Sequence, residues 1–322
     1  MAEEQYIYAV ARIRAKELEL LDKGFIEQLV AARSHDEAMK LLRERGWGVS
    51  GDELWEELPS AELEKIWSLM RELVEDMSIF DALLYENDFH NLKAAIKQVY
   101  IDKEVPDVFI SRGTVDPQLI SAAVAEHNFY ILPEQMIGCA QEAYEIQMHA
   151  GDSQLADAII DRAALDAIYG KGVESGNDVL REYAELRVAL SDISIAVRGH
   201  ETKRDREFFD RAIADCNTLD KKRLTEGALE GLHAICEYLE TSVYSDAAAA
   251  LKTSTAAFEA WGDSLIIERM KCQKYNPFTV APLIAYILAR ENEIKSVKLV
   301  LQGKLFDLSE KAIRERMREM YV

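Results

Sequence analysis

A nine-residue pattern with helical spacing constrains this chain more than any other feature of its sequence. It consists of an acid, an apolar residue, two variable positions, an apolar residue, a base and three apolar residues. The copies are DFHNLKAAI at 88–96, EYAELRVAL at 182–190 and EIKSVKLVL at 293–301. Positions two, five, six and nine share one side of a helix, because they are three, four and seven residues apart. Each copy therefore predicts an amphipathic helix.

A second element follows each copy after a variable gap, and it also follows a degraded copy near the start, where Tyr8, Ala11 and Arg12 fill the corresponding slots. The element is a helix-capping residue, two free positions and a pair of apolar or small residues. Its four instances are Asp22 with Phe25–Ile26, Asp116 with Leu119–Ile120, Asp205 with Phe208–Phe209, and Ser309 with Ala312–Ile313. Because both elements recur four times in the same order, they predict internal repetition of one helical unit.

One base in each copy stands among the apolar residues of the stripe. These bases are Lys93, Arg187 and Lys298, with Arg12 in the degraded copy. A base in such a place must reach solvent, pair with a carboxylate or line a cavity. Two interpretations stay open: the bases hold neighbouring helices in register, or they form a cationic lining that receives an acidic part of a partner.

Composition favours an all-α protein. Among 322 residues there are only 15 glycines and 6 prolines, and aromatic residues make up 8%, so the residues that favour turns and strands are scarce. The length exceeds the usual size of a single core, so we expect several helical modules. A net charge of -20 opposes binding to nucleic acid or anionic lipid. The charge either favours a basic protein partner or serves solubility.

Two segments rich in helix breakers predict the boundaries between modules. Residues 102–117 contain two prolines, and residues 170–178 contain three glycines. The predicted modules are residues 1–105, residues 106–175 together with 176–200, and residues 201–322. Within the first, Ser34 with Glu37 forms a capping box that predicts a helix over 35–45.

Motifs for catalysis or cofactor binding are missing from the sequence. No G-x-x-x-x-G-K-[ST] phosphate loop occurs, and the cluster of Gly170, Gly172 and Gly176 misses the dinucleotide spacing, so we interpret it as a loop. A di-metal carboxylate bundle needs two E-x-x-H helices, and only Glu230 with His233 has that spacing. The sequence predicts no catalytic, cofactor-binding or metal-binding residue, although a nucleophile with dispersed partners stays open.

Several features predict a cytoplasmic protein. Four cysteines lie far apart with no C-x-x-C pair, which is typical of a reducing compartment. The amino terminus has no basic region leading into an apolar stretch, so we expect no secretory signal. The longest apolar run, at 279–289, has about half of the roughly 20 residues that a membrane-spanning helix needs. We therefore expect any membrane association to go through a partner, without direct insertion.

Both ends of the chain resemble one protein family. The opening YIYAVARIRA at 6–15, with Leu20–Leu21 after it, is similar to the amino-terminal signature of the C subunit of V/A-type ATPases. This family is related to the d subunit of eukaryotic V-ATPases. The closing PLIAYILARENEIKSVK at 282–298 and the later Gly303–Lys304 resemble the terminal helix of the same family and its glycine-lysine step.

The resemblance implies a fold of three similar helical modules in a pseudo-threefold, funnel-like arrangement. It also implies a non-catalytic central-stalk subunit, which would be a monomer within a hetero-oligomeric complex at the cytoplasmic face of a membrane. Its implied partners are the membrane rotor ring and the central shaft subunits, which it couples during ion transport. Two other classes stay open: a helical-repeat scaffold or adaptor unrelated to ATPases, and a helical enzyme with an unrecognised site.

Overall fold

The regular structure of the chain is helical. The computed structural model describes residues 6–48, 54–103 and 105–322, which form sixteen α-helices and contain no strand. The predicted all-α class is confirmed. The chain divides into two compact units, of which the first comprises residues 1–77 with 249–322 and the second residues 78–248. Among the described residues, no helix is both long and apolar enough to cross a membrane.

The first unit is built around one long helix. Its helices are α1 (Ile7–Glu17), α2 (Lys23–Ala31), α3 (His35–Glu44), α4 (Leu58–Leu73), α14 (Thr255–Met270), α15 (Ala281–Leu305) and α16 (Glu310–Arg314). Helix α15 packs against all the others. Its residues from 281 to 290 are all buried, so the longest apolar run of the sequence is a core helix.

The second unit is centred on α8. Its helices are α5 (Asp81–Ile101), α6 (Pro117–Ala125), α7 (Glu134–Glu145), α8 (Ser153–Glu174), α9 (Asp178–Glu201), α10 (Arg206–Ala212), α11 (Lys221–Glu230) and α12 (Leu232–Glu240), and α13 (Ser245–Thr253) runs across the boundary between the units. Helix α8 packs against α5, α7, α9 and α10. The predicted stripes of α5 and α9 face this core, because their apolar positions, such as Phe89 and Leu186, are buried.

The four capped elements of the sequence are confirmed as helix starts. In each, the capping side chain accepts a backbone N–H of the first turn: Asp22 from Phe25, Asp116 from Gln118, Asp205 from Phe208 and Ser309 from Ala312. The second apolar residue of each pair is buried in every case: Ile26, Ile120, Phe209 and Ile313. The element therefore fixes both where a short helix begins and which side of it enters the core.

Three of the four helices that are longer than 20 residues end in the same local conformation. Asp102, Lys203 and Asp307 follow α5, α9 and α15 with φ values of 50, 56 and 52°. In each case the backbone N–H of the following residue donates a hydrogen bond to a carbonyl of the last helical turn, as in a Schellman motif. Within the last turn of α15, Gly303 lets α16 approach closely, because a Cβ there would lie 2.7 Å from the Ile313 side chain.

One predicted irregular segment is partly helical, so the loop interpretation of its glycines is wrong for two of the three. Helix α8 continues through Gly170 and Gly172, so these residues are helical and only residues 175–177 separate α8 from α9. Gly172 serves packing instead, since a Cβ there would lie 2.5 Å from Ala184 Cβ of α9. The other boundary, 102–117, is non-helical up to residue 116, although Glu104 lies outside the described residues. The division into three modules stays a prediction.

Candidate functional site

Two of the four predicted bases form ion pairs between helices of the second unit. Lys93 of α5 donates to Asp161 of α8 over 2.5 Å. Arg187 of α9 donates through Nε to Glu86 of α5. Both side chains are partly exposed, and each ties its helix to a neighbour, while the apolar residues beside them are buried.

The other two bases lie in the first unit and differ from each other. Arg12 donates from Nη1 to the Tyr8 hydroxyl over 2.8 Å and to Glu72 over 3.0 Å. Lys298 is exposed on α15 and makes no hydrogen bond or ion pair with any described residue. The structure does not gather the four bases into one cluster within either unit. Their role at a partner interface or in the fold stays a prediction.

A buried ionic cluster in the first unit was not predicted from the sequence. Arg290 of α15 donates to Glu62 of α4 over 2.5 Å and also to Glu293 one turn along its own helix. All three side chains are buried. Lys65, half-exposed, adds a second cation to Glu62 over 2.7 Å. We call these four side chains the Arg290 cluster; it contains two cations and two carboxylates and is neutral when all are ionised.

The Arg290 cluster also fixes backbone turns. Glu293 accepts the N–H of Leu21, directly before the cap Asp22, over 2.7 Å. Glu62 accepts the N–H of Gly48 over 2.8 Å. The Arg290 guanidinium lies over the Trp47 ring, 5.2 Å from its centroid. The cluster therefore joins α4 and α15 to the turns that precede α2 and follow α3, through charge-assisted hydrogen bonds.

Burial and pairing oppose each other in this cluster. Burial raises the pKa of Glu293 to about 7, against the lowering effect of Arg290. Burial acts to lower the pKa of Arg290, but the neighbouring carboxylates outweigh it and the pKa is raised. The guanidinium therefore stays charged, whereas Glu293 titrates near neutral pH.

In the second unit a buried carboxylate holds a turn, and no base among the described residues pairs directly with it. Asp88 of α5 accepts the N–H groups of Thr114 and Val115 over 2.9 and 3.1 Å and the Thr114 hydroxyl over 2.7 Å. This turn directly precedes the cap Asp116. Glu185 of α9 holds Thr218, two residues before the cap of α11, in the same manner. Long-helix carboxylates thus orient the turns before α2, α6 and α11.

Asp192 of α9 is the buried carboxylate with the fewest partners among these. Within the described part of the chain it accepts a single hydrogen bond, from the Ala214 N–H over 3.0 Å. Burial raises its pKa to about 8; the Ala214 bond and the charge of Lys221 oppose the shift, and the charge of Asp166 adds to it. Asp192 therefore keeps its proton at neutral pH.

The described residues offer little chemistry for catalysis. No group of His, Cys, Asp and Glu among them could hold a metal ion. Glu230 ends α11 and His233 lies in α12, with Gly231 at φ 139° between them, so the E-x-x-H pair is not on one helix. Burial raises the pKa of the Cys139 thiol to about 12 and of Cys216 to about 11, which makes both poor nucleophiles. The buried carboxylates instead stabilise the fold by accepting backbone N–H groups of distant turns.

Comparison with known proteins gives one consistent family. The family described as ATP synthase (C/AC39) subunit matches residues 9–316. The C subunit of the V-type sodium ATPase of Enterococcus hirae is 24% identical over 317 residues, covering 96% of this chain and 97% of that protein. The C subunit of the A-type ATP synthase of Methanocaldococcus jannaschii is 22% identical over 349 residues, covering 96% of this chain and 85% of that protein.

Proposed function

The chain belongs to the ATP synthase (C/AC39) subunit family, and on that premise we propose that it is a non-catalytic central-stalk subunit of a V/A-type rotary ATPase. In this role it couples the membrane rotor ring to the central shaft subunits during ion transport. The observation that carries the proposal is the match of the family over residues 9–316, which leaves no room within this chain for an unrelated module of domain size. The subunit is then a monomer on the cytoplasmic face of the membrane, held there by the complex.

The internal bracing supports this function. A part that transmits torque must not yield between its two binding faces, and close-packed interiors are stiff. Helix α15 is buried over its first ten residues and is joined to α4 by the Arg290 cluster. In the second unit, α8 is tied to α5 by Lys93–Asp161 and Lys171–Asp81. These contacts resist sliding of the long helices within each unit.

The test is reassembly of a complex that lacks only this subunit. We expect the purified chain to restore ATP-driven ion transport and to bring the detergent-solubilised ring and the shaft down together. The isolated chain is expected to show no saturable binding of magnesium-ATP by calorimetry, because the phosphate loop is missing. A chain that binds neither ring nor shaft contradicts the proposal and favours an unrelated helical scaffold. One-site micromolar ATP binding contradicts the non-catalytic assignment.

A further inference from the structure

Helix α1 exposes an apolar side along its whole length. One side of the helix is buried, with Ala9, Val10 and Ile13 in the core. The opposite side carries Ile7, Tyr8, Ala11, Ala15 and Leu18, all exposed. Tyr8 is 63% and Leu18 87% exposed. We call these five residues the α1 face. A soluble chain rarely leaves such a contiguous apolar side open unless something covers it.

An ordered loop extends this apolar surface beyond the end of α1. Arg14 donates from Nη2 to the carbonyls of Gln273 and Asn276, over 2.6 and 3.0 Å, and so holds the loop beside α1. Lys274 lies over the Tyr321 ring, 4.7 Å from its centroid. Tyr275 nevertheless points outward, 88% exposed, and Phe278 is also exposed. Aromatic side chains on an anchored loop are typical of binding hot spots, because little freedom is lost on contact.

We propose that the α1 face, with Tyr275 and Phe278, is the docking surface for the apolar side of an α-helix of the central shaft. The inference rests on the proposed function and specifies which part of this chain grips the shaft. A subunit that receives the shaft contacts it along the length of a shaft helix. A lengthwise contact with interdigitated side chains resists slipping under torque. The α1 face offers such a contact, since it runs along a helix and is bounded by large residues.

The shape of the α1 face fits a helix. Ala11 and Ala15 are one turn apart on the exposed side, with Tyr8 before them and Leu18 after them. Two alanines at this spacing leave a shallow groove into which the side-chain ridge of a second helix can pack. Tyr8 is held at one end by Arg12, which donates to its hydroxyl. The Tyr8 hydroxyl can still donate its proton to an acceptor on the partner.

The surface is too small and too neutral for two other occupants. A helix of eleven residues is about 16 Å long, so its exposed side with the loop covers a few hundred Å², below the roughly 800 Å² per partner of an interface that is stable by itself. Such an area disfavours a dimer of isolated chains, whereas under the proposed function a shaft helix is also held by the rest of the complex. An anionic bilayer needs a surplus of bases beside the apolar side, but Arg12, Arg14 and Lys16 pair with Glu72, Glu17 and Glu19.

Binding of the full chain to the purified shaft subunits tests the docking surface, with the solubilised ring as a separate arm. We expect Leu18→Glu and Ala11→Trp each to weaken shaft binding by about tenfold or more, while the melting temperature and ring binding stay unchanged. Ala11→Ser should bind normally, because it keeps the groove. Val243→Glu is the matched control, since Val243 is 75% exposed in the second unit, and it should also bind normally.

The outcomes separate the inference from the function on which it rests. If the wild-type chain binds neither shaft nor ring, the proposed function fails and the docking surface with it. If the wild-type chain binds the shaft but Leu18→Glu and Ala11→Trp bind equally well, the docking surface alone is wrong. If the variants lose ring binding and keep shaft binding, the α1 face docks the ring. If they instead lose a dimer that the wild-type chain forms, the α1 face docks a second copy. Either result overturns the proposal.

Discussion

The two units hold their turns with the same kind of side chain but balance the buried charge differently. Glu293 in the first unit and Asp88 and Asp192 in the second are each only 1% exposed, and each accepts backbone N–H groups of a distant turn. Glu293 is paired with Arg290, a base one turn away. Among the described residues, no base pairs directly with Asp88 or Asp192.

The difference shows two solutions to the cost of burying a carboxylate. Glu293 keeps a cation close, and burial raises its pKa from 4.5 to about 7. Asp192 has no cation in contact among the residues described, and burial raises its pKa from 3.8 to about 8, a larger shift. A buried acid thus either acquires a base or retains its proton. Glu293 in the first unit thus has a base beside it, whereas Asp192 in the second favours its protonated form up to about pH 8.

The largest expected effect comes from removing the shared cation of the first unit. Arg290→Met keeps most of the packed stem but leaves Glu62 and Glu293 buried, with only Lys65 beside Glu62. We expect a loss of about 3–5 kcal/mol in the free energy of unfolding, because Glu293 then either stays charged without a partner or takes up a proton that the unfolded chain does not bind at neutral pH. Urea unfolding followed by circular dichroism measures it.

A triple variant is the control for this loss. In Arg290→Met with Glu62→Gln and Glu293→Gln, the amide oxygens can still accept the N–H groups of Gly48 and Leu21. We expect this variant to recover most of the stability, since no buried charge is left unpaired. A loss below about 1 kcal/mol in the single variant would mean that charge balance does not distinguish the two units.

Local signals made much of the helical framework predictable. At Asp205 and again at Ser309, the capping residue lies within a few residues of its own apolar pair. The sequence alone therefore indicates where each helix starts and which side of it is buried. The same holds for Ser34, whose hydroxyl accepts the Glu37 N–H at the start of α3, and this helix is confirmed at His35–Glu44. Capping depends on residues two or three apart, which is why sequence suffices.

Most partners of the buried charges are distant in the chain, which is why the cluster was not predicted. Arg290 stands only three residues before Glu293 and was a local signal. The Leu21 N–H that Glu293 accepts is 272 residues away, and Glu62 is 228 residues from Arg290. The prediction of a loop at Gly172 was wrong for the same reason, since the residue that approaches it, Ala184, lies on the next helix. The acid of the pattern was a usable signal: an acid at the edge of a buried stripe requires a partner.

Asp192 provides an intermediate effect, a dependence of stability on pH. Between about pH 4 and 8 the folded chain retains the Asp192 proton while the unfolded chain loses it, so the unfolding free energy falls as pH rises, by up to about 1.4 kcal/mol per pH unit. Asp192→Asn keeps an acceptor for the Ala214 N–H and removes this titration. We expect the variant to gain stability relative to wild type as pH rises towards 8, in urea series at several pH values.

Other groups contribute to the same pH range, so the difference between variant and wild type is the quantity to compare. Burial raises the pKa of Glu293 as well, and that contribution is common to both proteins. A difference that does not change between pH 4 and 8 would show that Asp192 is ionised in the folded chain. The second unit would then hold a buried charge with no base in contact among the described residues, and a retained proton would not be what distinguishes it from the first.

The smallest expected effect concerns the surface bases. Here the base of the second unit has a partner and that of the first has none among the described residues, which is the reverse of the buried acids. Lys93 in the second unit pairs with Asp161, whereas Lys298 in the first unit has no partner among the described residues. Asp161 is half-exposed, so the pair is worth about 0–1 kcal/mol. We expect Lys93→Met to lower the unfolding free energy by no more than that. Lys93→Ala should cost more, because it also removes the packed stem.

Lys298 is the matched variant, and neither Met nor Ala there should shift the melting temperature by more than surface substitutions usually do. A base that contributes nothing to the fold is the better candidate for partner binding. Charge reversal by Lys298→Glu should then slow association with an acidic partner surface, with a loss that shrinks as salt rises. The same reversal at Lys93 should act mainly on the melting temperature. If Lys93→Glu and Lys298→Glu change binding and melting alike, pairing in the isolated chain does not separate structural bases from interface bases.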